Sequence, residues 1–138
     1  MHTAEHILNQ TMDREFGCGR CISAHIEKKR SKCDFRFDRP LTDAELRDLE
    51  DRVNGVIVAD LPVIEEWTAA EKARAVFNLE RLPKDAGDTI RIVRVGDYDA
   101  CPCIGSHVST TSEIGRFQIT TTDFQNGVLR IRYRLWES

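Results

Sequence analysis

Near the C-terminus, the stretch GRFQITTTDFQNGVLRIRYRL alternates apolar and polar residues on both sides of Asn126-Gly127. Asn-Gly tolerates the positive φ angles of a two-residue hairpin turn better than other dipeptides, so this stretch predicts two long antiparallel strands. Such a hairpin has one apolar face, and that face must be covered by further strands or helices.

The rest of the chain supplies both. Ile7, Leu8, Met12 and Phe16 recur at helical spacing ahead of the glycines of FGCG, which predicts a first helix that stops there. CISAHIEKKRSKCDFRFD reads as two short strands around a basic turn. Thr42 and Glu45 carry the capping-box spacing that opens a second helix in LTDAELRDLEDRVNGVI. A strand near LPVIEEW, a short helix in TAAEKARAVF and the alternating strand TIRIVRV follow. The next segment, GDYDACPCIGSHVSTTSEIG, is too rich in Gly, Pro and Ser to read as simple helix or strand. The expected class is α+β, a single domain over residues 1–138 with a mainly antiparallel sheet packed with helices. A chain of 138 residues, 41% hydrophobic and 31% charged, has the size and balance for one such core.

Several functional classes are disfavoured. No apolar run approaches the roughly 20 residues that span a bilayer, and the N-terminus lacks the layout of a secretory signal, so a cytoplasmic location is expected. The five cysteines, Cys18, Cys21, Cys33, Cys101 and Cys103, form no even framework and read as free thiols or metal ligands. A net charge of −3 speaks against a protein whose main work is gripping a nucleic-acid backbone. EKKRSK and LRIRYR are local exceptions that could each touch a phosphate, although a solvated turn and a charged sheet face explain them as well.

The opening HTAEH carries chemistry. On a helix His2 and His6 lie one turn apart with Glu5 beside them, so two imidazoles can share one metal ion. A second pair, Cys103 and His107 in C-x-x-x-H, lies about a hundred residues later. Thiolate and imidazole are ligands that zinc favours, and the two pairs together make His2, His6, Cys103 and His107 a candidate tetrahedral set. Cys101 competes with Cys103 and reads as structural. Asp97 and Asp99 could accept the second N–H of a ligating histidine. HTAEH also matches H-x-x-E-H, the inverted-zincin peptidase signature, in which Glu5 would be the general base. Such a peptidase takes a third, carboxylate ligand from a later helix, whereas this sequence offers a loop C-x-x-x-H.

HTAEHIL, then CIGSHV, then TTSEIG, in this order over essentially the whole chain, resembles the editing domain of alanyl-tRNA synthetase and its free-standing relatives, the AlaX proteins; threonyl-tRNA synthetase has a similar domain. The resemblance implies zinc bound by His2, His6, Cys103 and His107. It implies hydrolysis of the ester joining serine or glycine to alanine tRNA, in trans, with the tRNA acceptor end as partner and a homodimer among the assemblies to test. It does not carry Glu5 over as a general base, which therefore stands as a catalytic candidate on its position alone. Strand periodicity in CISAH turns Cys21, Ser23 and His25 to one face as candidate pocket residues. CIGSH departs from the adjacent glycines and threonine typical of the synthetase loop, and the absence of residues before Met1 points to the shortest free-standing class. A non-catalytic zinc module that holds an amino acid or the tRNA end is the remaining alternative.

Overall fold

The computed structural model describes residues 1–77 and 88–136. Along the chain run α1 (His2–Phe16), β1 (Ser23–Ile26), β2 (Arg30–Arg36), α2 (Asp43–Val58), β3 (Val63–Ala69), α3 (Ala70–Val76), β4 (Thr89–Val95), β5 (Asp99–Pro102), a 3-10 turn (Thr111–Ile114), β6 (Arg116–Gln125) and β7 (Val128–Trp136). This is the α+β class that the patterning predicts, with every strand pairing antiparallel. The strands form two sheets, β1-β2-β7-β6 and β3-β4-β5. No helix among the described residues is long and apolar enough to cross a membrane.

Local chemistry accounts for most of the boundaries. α1 stops where Gly17 adopts φ 64° and its N–H bonds Asp13 O. α2 opens on a complete capping box: Thr42 Oγ1 accepts from Glu45 N at 3.1 Å, and Glu45 Oε1 accepts from Thr42 N at 2.9 Å. The hairpin turn is built by Asn126 at φ 51° and Gly127 at φ 76°.

α1 lies in the core rather than on it. Its buried residues run from Thr3 to Asn9 without a break, so polar Glu5, His6 and Asn9 are enclosed beside Ile7 and Leu8. The helix packs with α2 against the inner face of the four-stranded sheet, where Cys33, Phe35, Phe117, Leu129, Ile131 and Tyr133 are fully buried. Asn54 of α2 joins these layers by bonding both the N–H and the C=O of Phe117. Thr111 ties the 3-10 turn to the end of α2, donating to carbonyls there and accepting from Leu61 N.

The segment expected to be neither helix nor strand contains β5, which pairs with β4 from Ile92↔Pro102 to Val95↔Asp99. A sheet edge makes this tolerable for proline, since the missing N–H need not serve a second neighbour. The positioning of the first helix beside this edge strand then brings the first turn of the chain to residues about a hundred positions later.

Candidate metal centre

Two segments meet at the N-terminal end of α1. The first turns of α1 present His2, Thr3, Glu5 and His6, and the loop after β5 presents Cys103, Gly105 and His107. His6, Cys103 and His107 each place a ligand atom within 4.8 Å of the other two. The rings of His6 and His107 stand edge to face with centroids 4.7 Å apart. His2 borders this trio, with its ring centroid 6.1 Å from that of His107, but its nitrogens lie outside the close set. Gly105 touches the His2 ring so closely that an added Cβ would fall 2.6 Å from it, which is why the loop has glycine there.

Each of the three central ligands is held from behind. His107 Nδ1 and Thr3 Oγ1 are 2.8 Å apart and share a hydrogen bond, while His107 Nε2 is buried without a partner. His6 Nδ1 stands 3.5 Å from Asp99 Oδ2, an ion-pair distance that lacks the alignment of a hydrogen bond. Asp99 in turn accepts from Arg20 Nη1 at 2.8 Å and Gln10 Nε2 at 3.1 Å, and is buried. Cys103 Sγ accepts from Gly105 N at 3.3 Å. Arg91 of β4 fixes the loop itself, donating from Nε to Cys103 O at 2.8 Å and from Nη2 to Gly105 O.

The electrostatics follow from this packing. Burial opposes charge on His6, but Asp99, Cys103 and Glu5 outweigh it and raise its pKa to about 9. Burial, reinforced by the positive charges of His6 and Arg91, lowers His107 to about 3, so it is a neutral imidazole with a free nitrogen. Burial pushes the Cys103 thiol up, yet the hydrogen bond and charge of His6 and the Gly105 amide bring it below its ordinary value. Cys101, by contrast, is pushed by burial to about 12 and stays a thiol, in keeping with a structural role.

One cysteine whose thiol is eased toward ionisation, one neutral histidine with an orphaned buried nitrogen and one histidine backed by a carboxylate are a donor set that fits zinc.

The remaining sequence candidates fall in two places. Glu5 is 6% exposed, with Oε2 3.8 Å from His6 Nε2 and Oε1 3.6 Å from Cys21 Sγ. Glu5, Cys21 and Cys33 form a second buried group of potential ligands. Ser23 and His25 do not join either group: Ser23 donates to Asp34 Oδ2 at 3.2 Å, and His25, with its side chain 64% exposed, pairs with Glu27 at 3.0 Å. The reason is that β1 begins only at Ser23, so the two-residue alternation does not extend back to Cys21. Asp97 is exposed, and Asp99 is the aspartate that backs His6. Arg91 and Arg20 escaped the sequence reading, because an arginine in an alternating strand or a loop reads as solvent-facing until its acceptors are known.

Residues 90–132, which include Cys103 and His107, match the "Threonyl and Alanyl tRNA synthetase second additional domain". The chain is 32% identical over 95% of its length to the alanine–tRNA ligase of Treponema denticola, 35% over 94% to that of Shouchella clausii and 33% over 94% to that of Fervidobacterium nodosum. Nearly the whole chain is thus similar to part of these alanine–tRNA ligases, the relationship that the motifs imply. The chain spans 22%, 15% and 15% of the lengths of these three relatives.

Proposed function

We propose that this chain is a zinc-dependent hydrolase that deacylates mischarged tRNA in trans, removing serine or glycine from alanine tRNA in the cytoplasm. The observation that carries the reading is the convergence of His6, Cys103 and His107 beside a buried carboxylate, in a chain homologous to a tRNA-editing region. A synthetase pocket cannot strongly reject an amino acid that only adds a hydroxyl or loses a methyl, so a second site that destroys the errors is chemically required.

In this reading His6, Cys103 and His107 hold the ion, with His2 as the fourth ligand at the rim. Bound zinc supplies a Lewis acid that polarises the ester and helps to position it. The chain's own groups do the rest. Asp99, anchored by Arg20 and Gln10, fixes the ring of His6, and Thr3 fixes that of His107. Arg91 keeps Cys103 and Gly105 in register with α1. In this reading Glu5 accepts the proton of an attacking water, which its burial near His6 supports, and Cys21, whose thiol lies against it, is pocket wall. An aminoacyl ester is already activated, so orientation and charge stabilisation supply most of the remaining catalysis. Ligands drawn from the Cys103–His107 loop favour this reading over a peptidase of the H-x-x-E-H type.

The test pairs zinc content with deacylation of serine- and alanine-charged alanine tRNA, for the wild type and Cys103→Ala. About one zinc per chain is expected, with serine release that is lost together with the metal in the variant and alanine release that is slow in both. Serine release that persists in a zinc-free variant would sink the proposal, and slowed deacylation would identify a binding module instead.

A further inference from the structure

The two basic stretches that stand apart in the sequence are neighbours in the fold. β2 and β7 pair with Arg30 opposite Arg134 and Lys32 opposite Arg132. Residues with apolar side chains on these strands, Cys33, Phe35, Leu129, Ile131 and Tyr133, point into the core. The alternation therefore sends Arg30, Lys32 and Arg36 of β2 and Arg130, Arg132 and Arg134 of β7 to the outer face of the sheet. Two carboxylates share that face on the partner strands: Asp34 takes both bonds of the Arg130 fork, at 2.8 and 3.0 Å, and Asp123 pairs with Arg132 at 2.5 Å. Among the described residues, Arg30, Lys32, Arg36 and Arg134 form no close ion pair, although the charge of Lys32 acts on Asp34. Lys28 and Lys29 extend the same charge around the exposed β1–β2 turn.

Like charges directly opposite each other weaken a sheet, and two such pairs sit side by side here in a chain whose net charge is −3. A fold that keeps this repulsion at the centre of its larger sheet gains from an anion that relieves it. The Arg134 guanidinium lies 3.6 Å from the centroid of the Trp136 ring, which offers a flat, partly exposed aromatic platform at the end of the row. Lys32 is adjacent to Cys33, whose thiol on the inner face belongs to the buried group containing Glu5, so the basic row backs onto the candidate site across a single sheet.

We infer that the outer face of the β1-β2-β7-β6 sheet is a docking surface for the phosphate backbone of RNA, holding the helical body of a tRNA while its charged end reaches the metal centre. The inference rests on the proposed tRNA-editing reading for the identity of the RNA, whereas the surface itself rests on charge complementarity. A strand face of roughly parallel cations contacts phosphates without reading bases, so binding is salt-dependent and largely indifferent to sequence.

The double substitution Arg30→Glu/Lys32→Glu separates binding from folding, because the new carboxylates face Arg134 and Arg132 and replace repulsion with attraction. Binding of uncharged alanine tRNA to the full chain is followed by fluorescence anisotropy between about 50 and 200 mM salt. The variant is expected to bind at least about tenfold more weakly at the low-salt end, and the slope of log affinity against log salt should fall by about 1 to 2, at roughly 0.7 to 0.9 per phosphate. Its Tm should equal or exceed that of the wild type, and its zinc content should match. Lys72→Glu/Arg74→Glu, which makes the same change in net charge on α3, should leave tRNA affinity within about twofold. The inference is overturned if Arg30→Glu/Lys32→Glu keeps wild-type affinity and slope, or if the α3 variant loses as much. It is also overturned if phosphatidylserine vesicles, and not tRNA, bind through these residues. Loss of tRNA binding in a protein that never releases serine would support the surface while removing the editing reading, so the two fail separately.

Discussion

Asp99 is the side chain that ties His6 of the candidate centre to Arg20 and Gln10. It is buried between His6 Nδ1, Arg20 and Gln10, and His6 and Arg20 outweigh burial to keep its carboxyl below the usual range. Its charge steadies the imidazole that must give up its proton to bind a metal, and carboxylates in this position typically contribute about 10- to 100-fold in metal affinity. Asp99→Asn should therefore weaken zinc retention by about that factor in a chelator competition, while Asp97→Asn, at an exposed position, should leave it unchanged. Equal loss in both would mean that the carboxylate does not act through His6.

At the scale of elements, two local devices can be tested apart from the metal. The capping box of α2 satisfies backbone N–H groups that the helix cannot satisfy itself, and Thr42→Ala should cost about 1 kcal/mol in urea unfolding with the m-value unchanged. The Asp34–Arg130 fork joins β2 to β7 and lowers the Asp34 pKa through its hydrogen bonds, against a smaller opposing effect of burial. Because the folded value lies below the unfolded one, the pair stabilises fully above the ordinary aspartate range and its contribution disappears as pH falls through the lowered folded value. Asp34→Asn should thus lower Tm near neutral pH and shrink that difference below about pH 4. A difference that is constant from neutral to acid would show that the pair is not what holds the two strands.

The whole molecule is held across its two sheets by the meeting of α1 with the loop after β5. A metal bound there joins the first turn of the chain to residues a hundred positions later, and binding to the folded state alone stabilises by about 4 kcal/mol when the ion is present at about 1,000 times its Kd. Chelation should lower Tm and raise amide exchange first in residues 103–110 and the start of α1, with the β6–β7 hairpin protected until global unfolding. Uniform exchange throughout the chain on chelation would show that the centre is integral to the fold rather than a clasp between its parts.

Features fixed by neighbouring residues were legible in the sequence. Asn126-Gly127 specified its turn through backbone sterics, Thr42 and Glu45 specified a helix start through two hydrogen bonds, and H-x-x-x-H with C-x-x-x-H offered candidate ligands, of which the fold brings His6, Cys103 and His107 together. Tertiary structure alone decided which strands became neighbours, because pairing is a contest among distant segments with similar alternation. That contest divided the strands between two sheets, gave Pro102 an edge and set Lys32 opposite Arg132. It also enclosed the first turns of α1, turning Glu5 and His6 from helix-surface residues into buried ones, and aimed Arg91 and Arg20 at acceptors that no local pattern reveals. The chemistry available to this protein is written in its residue types, while its concentration at one point arises from the burial of α1 beside β5.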